Sequence, residues 1–245
     1  MKERVIAIIG NRPIILVAPH GADDVNTDIV AEHAAKILSC CVVANRGFQR
    51  SNDVDVERDK ADCNKINHCL SEVVFEEFLK PILKFKDKIT QGIHQNKNPI
   101  KNMYSPYETV HLFFIHGCGD MVNKEAKEQV GLIVGYGLGV KKDSLTCDVW
   151  RKNLFVHLYR KFSKNGDIFE GKCGGKYAGR NKNNLNQYFR KKDMDVRVQS
   201  MQLEIPYSFR KTKDNAIDTA NLLSSVIMDY YRQGKFELEP NKKLI

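Results

Sequence analysis

The chain has 245 residues, 42% hydrophobic and 28% charged, with a formal net charge of +9. That composition excludes a disordered chain, and the length suffices for one large α/β domain or two small ones. The opening is apolar only in two short bursts broken by Asn11, Arg12 and Pro13. It matches neither an export signal nor a membrane span of about 20 apolar residues, so the expected location is cytoplasmic.

In chain order, "VIAII" and "IILVA" read as strands. Asp28 to Leu38 reads as a helix with Ile29, Val30, His33, Ala34, Ile37 and Leu38 on one face, and "CVVA" as a buried strand. A second helical pattern runs from Leu70 to Lys88, bent or restarted at Pro81. "HLFFI" and "GLIVG" read as buried strands, Val149 to Phe162 as a helix, and Asp193 to Glu204 ends in strand-like alternation. Asn215 to Tyr231 closes the pattern as a helix with Ile217, Ala220, Leu223, Ile227 and Tyr231 at core spacing. Strands interleaved with helices predict an α/β fold: one three-layer domain over residues 1–245, its mixed, mostly parallel sheet covered by helices on both faces. The polar stretches Gln95 to Pro106 and Gly166 to Asn186 read as long loops, where function often sits.

Seven cysteines without a Cys-x-x-Cys pair argue against a cysteine zinc cage, and adjacent Cys40 and Cys41 read as buried free thiols. The basic clusters "KPILKFKDK", "KNKNPIK", "GRNKNN" and "FRKKD" are scattered and belong to no recognised nucleic-acid module. They read as a solvated surface or as attraction for an anionic substrate, rather than as a nucleic-acid or membrane surface.

Three polar residues end apolar strands: His20 after "IILVAP", His116 after "HLFFI" and Glu204 after "VQSMQL". In an open α/β sheet the crevice beyond the carboxyl ends of the strands is the usual site, so three parallel neighbours would bring these side chains together. Asp23 stands at His-x-x-Asp spacing from His20, with Asp24 competing for the same role. Two histidines and a carboxylate leave the fourth position of a tetrahedral zinc open, and Glu204 would serve as general base toward a water there. Iron, cobalt or manganese could occupy the same donor set. His33, His68, His94, His111 and His157 are assigned no role. "GYGLGV" lacks a dinucleotide fingerprint and reads as a turn beside a strand end.

Five stretches in order resemble the N-formylglutamate amidohydrolase family, whose fold is similar to that of zinc carboxypeptidases and aspartoacylases. They are "VAPHGADDVNTDIVAEHAAKI", "RGFQRSNDVDVER", "FFIHGCGD", "GLIVGYGLGVKKDSLTCD", and "GGKYAGRNKNN" followed by "VQSMQLEIPYSFR". The resemblance implies zinc ligands at His20, His116 and Asp23 (or Asp24), a catalytic glutamate at Glu204, and Arg58 holding a substrate carboxylate. Arg46, Arg50 and Arg180 are secondary candidates for that last task. Glu57 stands where the family has asparagine before its arginine, and the loop after His20 departs from the family pattern. The activity so implied is zinc-dependent hydrolysis of the amide bond of an N-acylated amino acid or small acidic substrate. The alternatives are a zinc peptidase or amidase on γ-linked glutamyl or cell-wall peptides, and a non-catalytic polyanion-binding protein on the same fold.

Overall fold

A computed structural model describes residues 3–95, 109–123, 127–138, 145–172, 175–192 and 198–236. Its strands are β1 (Val5–Ile8), β2 (Arg12–Ala18), β3 (Cys40–Asn45), β4 (Val110–Cys118), β5 (Val122–Asn123), β6 (Glu128–Gly135), β7 (Asp167–Glu170) and β8 (Val198–Pro206). They form one eight-stranded sheet in the order β1-β3-β2-β4-β8-β6-β5, with β7 paired to β6. The central run β3-β2-β4-β8 is parallel, as is β6 with β7. β1 joins β3, and β6 joins β8 and β5, antiparallel.

Burial on both faces explains why the central strands read as continuous apolar runs rather than alternating ones. In β2, Ile14 and Leu16 enter one core and Ile15 and Val17 the other. The first core is closed by α1 (Thr27–Leu38), α5 (Val149–Phe162) and α7 (Lys213–Phe236). On the opposite face lie two short helices, α2 (Ile66–Cys69) and α3 (Glu72–Val74), then α4 (Lys80–Gln95) and α6 (Leu185–Lys192). The three-layer α/β expectation is borne out. Among the described residues no helix is long and apolar enough to cross a membrane.

Two local readings change. The stretch from Leu70 to Lys88 is not one helix: α3 passes through a π-helical turn, Phe75–Leu79, before α4 begins. That turn lies just ahead of Pro81, whose ring cannot continue a regular hydrogen-bond ladder into the preceding turn. Gly166 to Asn186 is not a plain loop, since it contains β7, a 3-10 turn at Lys176–Ala178 and the start of α6. Gly135 permits the turn to lie against the sheet, because a Cβ there would stand 2.3 Å from the Tyr177 carbonyl oxygen. The expected loop at 96–106 lies outside the described residues. The six described cysteines, Cys40 and Cys41 among them, are buried and free.

Candidate metal centre

Parallel pairing puts the carboxyl ends of β2, β4 and β8 side by side, and β4 and β8 are in register with His116 opposite Glu204. His20 lies two residues beyond β2. All three side chains are buried: His20 is 6%, His116 3% and Glu204 6% exposed. They line one cavity of about 630 Å³, together with Asp24, Arg50, Lys176, Arg180 and Lys182.

The carboxylate that joins the two histidines belongs to Asp24, not to Asp23. The amides of both aspartates bond back to the His20 carbonyl, at 2.9 and 2.6 Å, in a tight turn that sends their side chains different ways. Asp23 accepts the Arg50 backbone N–H at 2.7 Å. Asp24 Oδ2 lies 3.6 Å from His20 Nδ1 and accepts the Gly117 N–H at 3.0 Å, while its Oδ1 accepts from the Arg50 guanidinium at 2.8 Å. Burial alone would raise the Asp24 carboxyl pKa, but the hydrogen bonds from His20 and Gly117 hold it below the usual carboxylate range.

His20 and His116 approach edge-on with their Nδ1 atoms 3.2 Å apart. His20 turns its Nε2 to Asp62 Oδ1 at 2.8 Å and donates to that carboxylate, while its Nδ1 faces both Asp24 and His116. Burial works to lower the His20 pKa; the hydrogen bonds to Asp24 and Asp62 outweigh it and leave the ring above its ordinary value. Burial and the nearby His20 together push His116 down to about 3, which makes it a neutral ring with lone pairs to offer. Its Nε2 is buried and has no hydrogen-bond partner among the described residues.

These residues fit a metal ion. One donor atom each from His20, Asp24 and His116 lie within 4.8 Å of one another. Two ligands about 2.0–2.1 Å from a tetrahedral zinc stand roughly 3.3 Å apart, close to the Nδ1 spacing here. Two ring nitrogens this close need a cation or a proton between them, and Asp24 supplies compensating charge. Asp62 completes a carboxylate–histidine arrangement behind the cluster, which orients a ligating ring and raises its basicity. Asp62 in turn accepts the Asn64 N–H at 3.0 Å, and its own N–H donates to His68 Nδ1 at 3.1 Å. Sequence reasoning missed Asp62 and His68. Asp62 lies in no strand or helix, so no periodicity marked it.

Glu204 stands apart from that cluster chemically. Burial raises its carboxyl to about 7, partly offset by a hydrogen bond from Gln202 Nε2. Of the arginines expected to hold substrate, Arg180 lines the cavity, as does Arg50. Arg58 does not. Asp55 and Lys60 pair through two 2.8 Å backbone bonds, placing Arg58 at the tip of a tight loop, 81% exposed and 3.6 Å from Asp55. Arg46 also lies outside the cavity, holding Asp28 at 2.7 Å and Glu32 at 2.5 Å.

No family model matches this sequence, and no curated protein does. Solved structures do match. N-formylglutamate amidohydrolase from Ralstonia eutropha superposes with a TM-score of 0.54 at 12% identity, over 95% of this chain and 99% of that one. A bacteriophage poly-gamma-glutamate hydrolase gives 0.51 at 13% identity, over 95% and 92%. A metallo-carboxypeptidase from Burkholderia cenocepacia gives 0.51 at 11% identity, over 94% of this chain and 61% of that one. Likeness at such identity carries architecture rather than chemistry. The chain therefore has the α/β fold common to these amidohydrolase and metallo-carboxypeptidase structures.

Proposed function

We propose that the protein is a zinc-dependent hydrolase that cleaves the C–N amide bond of an N-acylated amino acid or small acidic peptide. The observation that carries this reading is the convergence of His20, Asp24 and His116 with the separately buried Glu204 in one cavity. His20, His116 and Asp24 would hold the ion, with Asp24 taking the place expected of Asp23. When bound, zinc supplies a Lewis acid for a carbonyl oxygen and acidifies water toward about pH 7. Glu204, poised near neutrality, takes a proton from the attacking water and returns it to the departing nitrogen. Lys176, Arg180 and Lys182 form a cationic wall that would bind substrate carboxylates, Arg180 with the bidentate geometry that suits them. Arg50, already bonded to Asp24, holds the ligand carboxylate in place instead.

Three cations on that wall exceed what one carboxylate needs, which favours γ-linked glutamyl or other acidic peptides as a second substrate class. The deciding experiment is elemental analysis of wild type beside His20→Ala and His116→Ala, followed by amine release from N-acyl glutamates and γ-glutamyl peptides. Near-stoichiometric zinc in wild type alone, with hydrolysis lost in both variants, is the expected result. Protein that takes up no zinc, yet binds nucleic acid in a salt-sensitive manner, would sink this reading in favour of a polyanion-binding protein.

A further inference from the structure

Arg210 follows β8 by four residues and is 5% exposed. Its guanidinium reaches three carbonyls on three separate pieces of backbone. Nε donates to Ile205 O at 3.0 Å, Nη1 to Val25 O at 2.9 Å and Nη2 to Cys118 O at 3.0 Å. Those acceptors belong to the end of β8, the loop between β2 and α1, and the end of β4. The Arg210 carbonyl also accepts from Asn26 Nδ2 at 2.7 Å, and Asn26 holds a left-handed backbone conformation with φ 60°. One residue thus holds the loop carrying His20 and Asp24 through two hydrogen bonds, at Val25 and Asn26.

The guanidinium also lies against Gly117, where a Cβ would stand 2.4 Å from Arg210 Cζ. Gly117 follows His116 and donates its N–H to Asp24 Oδ2. The seat of the guanidinium therefore sets where that N–H stands relative to Asp24. A buried cation bonded to neutral carbonyls bears a desolvation cost that an apolar side chain would avoid. What the planar fork adds is direction, since its N–H groups point to fixed places that a lysine ammonium cannot reach together.

We propose that Arg210 is the positioning residue of the metal centre, setting the spacing between Asp24 on the β2–α1 loop and His116 on β4. The inference rests on the metal-site reading above. The test is zinc affinity, by competition with a chromophoric chelator, for wild type, Arg210→Lys, Arg210→Met and the remote core variant Ile227→Ala. Thermal unfolding of the metal-free proteins is measured alongside. Arg210→Met should bind zinc on the order of 10–100-fold more weakly, and Arg210→Lys should fall in between. Ile227→Ala should lower the melting temperature without weakening zinc. Cobalt-loaded Arg210→Lys should show altered visible bands, a change that loss of stability alone does not produce. If Arg210→Met fails to fold, Arg210→Lys decides. Wild-type affinity and an unchanged cobalt spectrum in Arg210→Lys would overturn the role of Arg210 while leaving the metal centre standing. A wild type that binds no zinc would overturn both.

Discussion

Two walls of one cavity are built in opposite ways. On one side His20, Asp24 and His116, backed by Asp62, are largely withdrawn from water, and His20 and Asp24 hold partners drawn from distant parts of the chain. On the other, Lys176, Arg180 and Lys182 are exposed side chains on a short turn and the segment after it. The first wall pays in desolvation for fixed geometry, which a metal needs. The second keeps its cations exposed to water, which suits recognition of charge more than of shape.

The sharpest way to test that contrast is Glu204→Gln. It should lower kcat on the order of 10²–10⁴-fold with zinc retained, because the proton carrier is lost and the ligands are not. In wild type, kcat/KM should rise with pH and level off above about 7, and the variant should lose that limb. Stability supplies an independent reading. The folded chain raises this carboxyl from 4.5 to about 7, so it holds the proton more tightly than the unfolded chain does. The stability given by the neutral form is complete below pH 4.5 and is lost as pH rises to about 7. In chelator-treated protein, Glu204→Gln should therefore exceed wild type by roughly 3 kcal/mol above neutrality and match it in acid, in urea unfolding. Equal stability at both pH values would show that Glu204 titrates normally.

Asp62→Asn comes next. The amide keeps the volume but not the charge behind His20, and zinc should dissociate on the order of 10–100-fold more readily. An unchanged affinity would remove Asp62 from the rigid wall. The smallest effects belong to the cationic wall. Arg180→Ala and Lys182→Ala should each raise KM several-fold, with kcat and melting temperature nearly unchanged and the effect fading at high salt. Arg58→Ala, outside the cavity, should do nothing measurable in the same assay. A fall in kcat as large as that of Glu204→Gln would mean that the two walls are not separable.

How much of this was readable depended on how local each signal is. His20, His116 and Glu204 stood out because a polar side chain closing an apolar strand is a contrast within a few residues. β7 and α6 escaped notice because both are short and lie in polar sequence. Asp23 and Asp24 could not be told apart, since each follows His20 within four positions and both are carboxylates. The choice was made by the Gly117 amide and the Arg50 guanidinium, 93 and 26 residues from Asp24. Arg58 looked right by motif and was carried away by the Asp55–Lys60 pairing.

By itself the sequence determined the central strands, the helices α1, α5 and α7 that cover one face and the three polar residues closing the central strands, because hydrophobic periodicity is a property of neighbours along the chain. Only the tertiary structure decided which carboxylate meets the histidines, that Asp62 stands behind His20, and that Arg210 ties the three backbone segments together. Those choices depend on hydrogen bonds between segments tens of residues apart, made where burial leaves each polar group no water to turn to.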